Sequence, residues 1–343
     1  MSKSKELMTF LNKVLTGMSI GVVVALVPSA LLGELAKAFD VQLIVDVTKM
    51  AGNLLAVIMG LCVAMQFKLT PIQSGTLAIA TMIGSGAIKL IDGTMVLAGI
   101  GDVINAGITA AIATGMILLI GNRFKAYTML LVPTIVITVS ALIGLTTLPY
   151  VTSLTGYLGQ LVESFTNFQP SLSGMLISVT FAFLIISPVS TVGVAMAISL
   201  AGIGSGAANL GICAAGFGLA IAGFKQNGVG TSAAHFLGSP KIQMANFVKQ
   251  PRMIIPILAN AAIVGAIGGA LGIQGTPASA GFGISGLIGP LNHLNIVGYS
   301  LINVTTTILV FAALPIALGI SFKYLFVTKL NVAKEEDYLI EFN

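Results

Sequence analysis

Two histidines and a small set of amides and hydroxyls are the side chains of this sequence that could do chemistry. His235 lies in GFKQNGVGTSAAHFLGSPK (residues 223–241), and His293 ends GTPASAGFGISGLIGPLNH (residues 275–293). The histidines are far apart in sequence and neither has an adjacent acid, which disfavours a metal site built on them. The pattern favours hydrogen bonding to a polar solute, with either histidine as a proton-responsive group.

No motif of a soluble enzyme accompanies these residues. The sequence has no Gly-x-Ser-x-Gly elbow, no phosphate-binding loop ending in Gly-Lys-Ser/Thr and no paired cysteines at metal-binding spacing. We therefore predict no catalytic residues, no metal and no cofactor in this chain. Cys62 and Cys213 fall in apolar stretches and are expected to be buried thiols without a disulfide.

The composition predicts an all-α polytopic membrane protein. The chain has 343 residues, of which 56% are hydrophobic and only 8% are charged. Soluble domains carry roughly 25% charged residues. Runs of about 18 or more apolar residues are long enough to cross a bilayer as helices, and such runs recur along the chain.

The apolar runs and the basic clusters together predict ten crossings. By the positive-inside rule, the clusters at residues 3–13, 123–125 and 225–252 face the cytoplasm, as do both termini. Because the net charge of +5 is dispersed among apolar runs, a nucleic-acid partner is disfavoured. Two short, Gly-rich crossings are candidates for broken or re-entrant helices, namely 189–203 and 207–223. The predicted crossings are 14–36, 50–66, 72–88, 103–121, 126–147, 171–187, 189–203, 207–223, 253–272 and 296–322.

An internal repeat is visible in the sequence. TPIQSGTLAIATMIGSGA (residues 70–87) resembles SPVSTVGVAMAISLAGIGSGA (residues 187–207), and both end in Ile-Gly-Ser-Gly-Ala. We predict a single membrane domain with a parallel duplication, residues 70–186 and 187–322. The alternative is that the shared pentapeptide simply ends two unrelated helices.

Polar residues within the apolar runs are the predicted solute-binding residues, because buried polar groups must find partners or line a cavity. Residues 224–252 are predicted to be a cytoplasmic loop with an interfacial helix that begins after Ser239 and Pro240. Residues 274–293 are predicted to be a re-entrant hairpin, or else an outer loop, and residues 323–343 a cytoplasmic tail. Lys89 and Asp92 are expected in an outer loop. The candidate set is Ser85, Ser205, Asn209, Asn227, Thr231, His235, Thr276, Ser285, Asn292 and His293.

The ten-crossing plan, the segment GFKQNGVGTSAAHFLGSPKIQMANFVKQPR and the segment GTPASAGFGISGLIGPLNHLN resemble the membrane C components (enzyme IIC) of the sugar phosphotransferase system. More narrowly, they resemble the stand-alone branch that includes perfringolysin regulator-like proteins. The resemblance implies a homodimeric permease in a bacterial inner membrane. In that family a separate B component phosphorylates the sugar, so phosphotransferase activity would require separate A and B components. Many members carry Gly-Ile-Thr-Glu, where this chain has Gly283-Ile-Ser-Gly286 and no Glu.

These observations lead to one functional hypothesis and one alternative. The first is a permease, surrounded by membrane lipid, that moves a small hydroxylated or anionic solute by alternating access. The alternative is a membrane sensor or regulator, derived from such a permease, that signals to a cytoplasmic phosphotransferase or regulatory protein through residues 225–252 and the acidic tail.

Overall fold

The computed structural model describes residues 3–28, 32–33, 36, 39, 41–121, 123–277 and 279–340, and these are mostly helical. The chain forms two compact units, one built mainly from the first 154 residues and the other mainly from residue 155 onward. The end of the first predicted crossing, near residues 29–36, falls largely outside the described residues.

The first unit consists of helices and one β-hairpin. Helix α3 packs against α1 and α4, and α5 packs against α4. The hairpin strands pair antiparallel around Asp92 and Gly93, which both have positive φ as tight hairpin turns require. The elements are α1 (Lys3–Pro28), α2 (Gln42–Asn53), α3 (Leu55–Gln66), α4 (Pro71–Gly84), β1 (Ile88–Ile91), β2 (Thr94–Leu97), α5 (Val103–Ile120) and the first part of α6 (Thr128–Phe165).

The second unit is organised around one buried helix, α9, which packs against α7, α10, α12 and α14. Short 3-10 turns lie at Pro240–Gln243, Pro251–Ile254, Ser285–Leu287 and Glu335–Tyr338. The helices are the last part of α6, α7 (Pro170–Ile186), α8 (Thr191–Ala197), α9 (Gly202–Ala222), α10 (Phe224–Leu237), α11 (Met244–Lys249), α12 (Ile255–Ala270), α13 (Ile288–Val297) and α14 (Leu301–Lys329).

The helices confirm the prediction of an all-α membrane protein. In the part of the chain that the structure describes, six helices are long and apolar enough to cross a membrane. Helices α2 and α3, bent by 53° at their junction, would make a seventh. A helix lies at each of the ten predicted positions, but α8 has only seven residues. At 1.5 Å per residue, seven residues span about 10 Å of a core roughly 30 Å thick.

Helix starts follow local capping chemistry. Thr70 Oγ1 accepts from the Gln73 N–H at 3.4 Å, Gln73 Oε1 accepts from the Thr70 N–H at 3.0 Å, and Pro71 is the first helical residue of α4. Asp102 Oδ1 accepts from the Asn105 N–H at 2.8 Å at the start of α5. The sequence determines these starts because each cap needs only residues within one turn.

Helix α6 is longer than predicted. The sequence analysis ended this crossing at residue 147, whereas the helix continues through Pro149 to Phe165. Its 38 residues correspond to about 57 Å of helix, so α6 is longer than the hydrocarbon core is thick. Proline inside such a helix removes one backbone hydrogen bond but does not end it when neighbouring groups satisfy the freed carbonyl.

The two copies of Ile-Gly-Ser-Gly-Ala adopt different local structures. Residues 83–87 end α4, where Ser85 is the C-cap. Residues 203–207 instead lie in the first turns of α9. Ser85 and Ser205, the matching residues of the two copies, therefore lie at the end of one helix and near the start of another, and the duplication stays a prediction.

Small residues allow α7 and α12 to approach closely. A Cβ added at Gly265 would collide with the Gly174 carbonyl oxygen and with the Ser178 side chain. Ser178 Oγ in turn donates to the Ala261 carbonyl at 2.8 Å. Close backbone approach through Gly and Ser is the usual basis of helix packing in membranes.

We expect Gly265→Ala to destabilise the protein by about 1–3 kcal/mol, because the added methyl group must push α7 and α12 apart. Unfolding of the detergent-solubilised protein would measure the change. The matched control is Gly115→Ala in α5, where an added Cβ has no neighbour within 4 Å. Equal stability of the two variants would contradict this packing.

Candidate functional site

The connection between α12 and α13 is irregular backbone within the second unit. Most of its described residues are buried or half-buried, and Gly272, Gly281, Gly283 and Gly286 have positive φ. The sequence analysis predicted a re-entrant hairpin or an outer loop for residues 274–293, and the described residues between 271 and 284 form no helix. Buried irregular backbone needs hydrogen-bond partners from outside itself. We call residues 273–287, which precede α13, the polar loop.

Helix α9 holds one side of the polar loop through two side chains spaced one turn apart. Ser205 Oγ donates to the Thr276 carbonyl at 2.8 Å. Asn209 Oδ1 accepts from the N–H groups of Phe282 at 3.3 Å and Gly283 at 3.0 Å. Because the two residues are four positions apart, their side chains lie on the same helix face. Both therefore reach the backbone of the polar loop.

Helix α13 holds the other side of the polar loop. Asn292 Oδ1 accepts from the Thr276 N–H and from Ser279 Oγ, each at 2.9 Å. His293 Nδ1 accepts from the Gln274 N–H at 3.0 Å, which requires that this nitrogen carry no proton. The loop is therefore fixed between two helices by side chains that the sequence analysis selected as solute-binding candidates.

The tip of the polar loop, residues 281–285, is hydrogen-bonded to two further segments of the chain. Thr191 Oγ1, at the start of α8, donates to the Gly281 carbonyl at 3.0 Å. Ser285 Oγ donates to the Gly238 carbonyl at 2.5 Å and lies 3.4 Å from the Phe236 carbonyl oxygen. Ser285 therefore links the loop to the end of α10.

One donor at this site has no acceptor. Asn209 is fully buried, and its Nδ2 has no hydrogen-bond partner among the described residues. Its Oδ1 is fixed by two backbone donors, so exchanging the two amide atoms would not relieve the unpaired N–H. Leaving a buried donor unpaired costs about 1–3 kcal/mol. An oxygen acceptor supplied by a solute would remove that cost.

The other histidine is held in a second cluster between α10 and the turn Pro240–Gln243. His235 Nε2 lies 3.1 Å from Gln243 Nε2, which can only donate. His235 Nδ1 therefore carries the proton and donates to the Thr231 carbonyl at 2.9 Å. Burial lowers the pKa of His235 to about 4, with the nearby Ser232 and Thr231 carbonyls opposing the shift.

The C-terminal tail docks on this cluster. Gln243 Nε2 and Asn227 Nδ2 both donate to the Tyr338 carbonyl at 2.8 Å, and Asn227 Oδ1 accepts from the Ile340 N–H at 2.8 Å. The Tyr338 side chain is fully buried, and its hydroxyl donates to the Met253 carbonyl at 2.8 Å. Asn227 therefore binds backbone of the same chain, and residues 341–343 lie outside the described part.

A cavity in the first unit offers less to a polar solute. Its volume is about 870 Å³, and its walls are apolar side chains such as Leu54, Ile79, Met82 and Leu148, with Lys89 as the charged lining residue. A hydroxylated solute needs several placed donors and acceptors, which this wall lacks. Ser85, also in the first unit, is satisfied locally, since its Oγ donates to the Met82 carbonyl at 2.8 Å.

The structure thus sorts the ten predicted site residues into groups. Six contact or belong to the polar loop, three lie on α10 and Ser85 caps α4. Within the α10 group, Thr231 contributes its backbone carbonyl to His235. The loop group is Ser205, Asn209, Thr276, Ser285, Asn292 and His293, and the α10 group is Asn227, Thr231 and His235.

Sequence reasoning missed several residues that hold these clusters. Thr191, Lys241 and Gln243 are all buried and hydrogen-bonded across elements. The sequence pattern put Gln243 on the polar side of an interfacial helix, yet its side chain points into the protein. One signal was available, because Lys241 interrupts the polar and apolar sides expected for residues 239–250.

The fold and the loop define a class of protein, a helical membrane protein with a buried polar loop between two helices. A family model described as "Phosphotransferase system, EIIC" matches residues 12–340. The chain therefore belongs to the phosphotransferase EIIC family, as its resemblance predicted. No curated protein and no solved structure matches the chain.

The protonation state of His235 predicts that the stability of the protein depends on pH. Its pKa is lowered from 6.5 to about 4 in the folded protein, so the unfolded chain binds more protons between these values. The free energy of unfolding should therefore fall as pH falls from 6.5 to 4, by up to about 3 kcal/mol. Thermal unfolding across this window would show the loss, and His235→Gln should flatten it. Superimposable curves for the two proteins would count against a neutral buried His235.

The docked tail gives a second prediction. Tyr338→Phe leaves the Met253 carbonyl without its donor and should cost about 1 kcal/mol, whereas Tyr338→Ala should cost about 3–5 kcal/mol through the cavity it leaves. Unfolding measurements on both variants test this order. Tyr324→Phe is the control, because Tyr324 is 64% exposed. Loss of its hydroxyl group should therefore change the free energy of unfolding little.

Proposed function

We propose that this protein is a permease that carries a small hydroxylated or anionic solute across a bacterial inner membrane by alternating access. Phosphoryl transfer would require separate A and B components, as the family resemblance implies. The observation that carries the proposal is the polar loop, an irregular segment buried among helices that are long and apolar enough to cross a membrane. Membership of the phosphotransferase EIIC family supports the same function. An unpaired donor at Asn209 and side-chain hydroxyls nearby are the groups that such a solute would use.

The chemistry of the loop supports a binding role. Backbone amides and neutral side chains make directional hydrogen bonds without holding a permanent charge in the membrane, where charge is costly. A transporter must also release its solute, and hydrogen bonds from Asn209, Ser205 and Asn292 can be exchanged one at a time. Unusually short or interrupted apolar helices are typical of transport sites, and α8 has only seven residues.

The proposal includes the finer arrangement predicted from sequence. It has ten crossings, both termini in the cytoplasm, and a parallel duplication of residues 70–186 and 187–322. The helices at the other nine positions support this arrangement, and the seven-residue α8 fits the broken or re-entrant segment predicted at 189–203. We further propose a homodimer and a separate cytoplasmic phosphotransferase or regulatory partner, both of which the family resemblance implies.

Uptake into vesicles tests the proposal directly. Purified protein in proteoliposomes should accumulate or exchange at least one member of a labelled panel of sugars, polyols and small organic acids, and protein-free vesicles should not. Asn292→Leu should lower that uptake at least about tenfold, because it removes the acceptor for the Thr276 N–H and Ser279 hydroxyl.

The matched control is Asn295→Leu, on the same helix but exposed to the surroundings. It should retain uptake. Protein that binds and exchanges no member of the panel would count against a permease, and equal losses in the two variants would count against the polar loop as its site.

A second candidate function is favoured by the docked tail. Glu335 pairs with Lys225 and Lys323, each at 3.3 Å, at the edge of the cluster that holds His235. A sensor could signal by releasing this tail to a cytoplasmic partner. Glu335→Gln discriminates the two functions, since a regulator would show an altered transcriptional response with solute uptake unchanged.

A further inference from the structure

The cavity of the first unit is an apolar groove formed by single faces of helices. On α4, the lining residues Ile79, Met82 and Ile83 are three and four positions apart and therefore share one helix face. On α6, Leu145 and Leu148 are three positions apart and do the same. The volume of about 870 Å³ lies in the range of roughly 300–1,000 Å³ that is typical of sites for small molecules.

The groove is open along one side. Leu54, Ile79 and Leu145 line it and are nevertheless exposed. On helices that cross a membrane, exposed apolar side chains contact lipid tails, which are as apolar as leucine. An apolar chain that lies in the membrane can therefore enter the groove from the side.

The β-hairpin adds apolar side chains to the wall of the groove. Leu90 and Met95 are lining residues and are 77% and 70% exposed. Within the described part of the chain, β1 and β2 pair only with each other, and an isolated two-stranded hairpin is at best marginally stable in water. An apolar chain bound in the groove would cover these side chains.

The base of the hairpin lies level with the start of α5. The Asp102 N–H donates to the Ser85 carbonyl at 2.9 Å, and the Ala98 N–H donates to the Ala87 carbonyl at 2.7 Å. Helix α5 has 18 residues of membrane-spanning composition, which correspond to about 27 Å and nearly match the hydrocarbon core. Its start, and the hairpin with it, therefore lies near a membrane surface, where lipid headgroups are found.

Lys89 on β1 is the charged member among the described lining residues of the groove. Its side chain is exposed, and its ammonium has no hydrogen bond or ion pair with any described residue. The two nearby acids, Asp92 in the hairpin turn and Asp102 at the start of α5, are not lining residues. An unpaired ammonium at headgroup level beside an apolar groove fits an amphiphile with a negative head and an apolar tail.

We propose that this groove binds an acyl chain of an anionic phospholipid and that Lys89 pairs with the lipid phosphate. A zwitterionic phospholipid brings its own cation and gains less from Lys89. A second copy of the chain would have to fill a concave groove with a helix or a hairpin, whereas an acyl chain adapts to its shape. The inference does not rest on the proposed function, since it uses no residue of the polar loop.

The test measures which lipid the purified chain prefers. Delipidated protein in detergent is mixed with dioleoyl phosphatidylglycerol, dioleoyl phosphatidylcholine or oleic acid. Native mass spectrometry counts the bound lipid, and the unfolding temperature is measured in parallel. We expect phosphatidylglycerol to bind about fivefold more tightly than phosphatidylcholine, the preference that one lysine near a membrane surface provides, and to raise the unfolding temperature more.

Two substitutions separate the headgroup from the tail. Lys89→Gln should remove the preference for phosphatidylglycerol and leave binding of phosphatidylcholine unchanged. Leu145→Trp, which fills part of the groove, should weaken binding of both lipids by about tenfold, as loss of contact with two methylene groups would. Because Lys89 and Leu145 are exposed, both variants should fold.

Each substitution has a matched control in the first unit. Lys49→Gln changes another exposed lysine, and Leu142→Trp changes an exposed leucine one turn before Leu145 on α6. Neither Lys49 nor Leu142 lines the groove. Both control variants should bind the lipids as the unaltered chain does.

Four results would overturn the proposal. Equal binding of the two phospholipids, or a preference that survives Lys89→Gln, would remove the pairing with phosphate. Equal lipid binding by Leu145→Trp and Leu142→Trp would remove the groove as the site. Tighter binding of oleic acid than of phosphatidylglycerol would make the ligand a free fatty acid. Loss of a dimer in Leu145→Trp with lipid binding unchanged would assign the groove to a second copy of the chain.

Discussion

The second unit depends on satisfying irregular backbone that is buried in an otherwise apolar helical protein. Water cannot reach such backbone, and each unpaired buried group costs free energy comparable to a lost hydrogen bond. Ser205 and Asn209 on α9 and Asn292 and His293 on α13 answer this need for the polar loop. The hydrogen bonds of these four side chains hold the irregular backbone of the loop in its shape.

A polar side chain that fixes the loop does not always use both of its polar atoms. A side chain that fixes the loop by one atom can present another atom to a solute. Asn209 shows this division, with Oδ1 bound to backbone and Nδ2 unpaired. Asn227 shows the opposite case, since both of its amide atoms bind the C-terminal tail. A polar side chain of the second unit can therefore be fully occupied by backbone of the same chain.

Charge is arranged differently from hydrogen bonding. Between Glu163 and Glu335 the sequence has only basic ionisable residues and histidines among its formally charged types. Most of the lysines can reach the surroundings or pair with the tail, as Lys225 and Lys323 do. Lys241 cannot, because its turn packs against α7, α9, α10 and α11. Lys241 is thus a buried lysine held by backbone carbonyls and not by an acid.

The sequence by itself determined the class of fold, the positions of most helices and their capped starts, because hydrophobic run length and local capping are properties of neighbouring residues. It also picked out six residues that meet at the polar loop. Only the tertiary structure decided that Asn227 binds the tail, that Lys241 and Gln243 are buried, that α6 runs on to Phe165 and that the repeated pentapeptide takes two forms. Those outcomes depend on contacts between segments distant in sequence, for which composition carries no signal and periodicity carries only the interruption at Lys241.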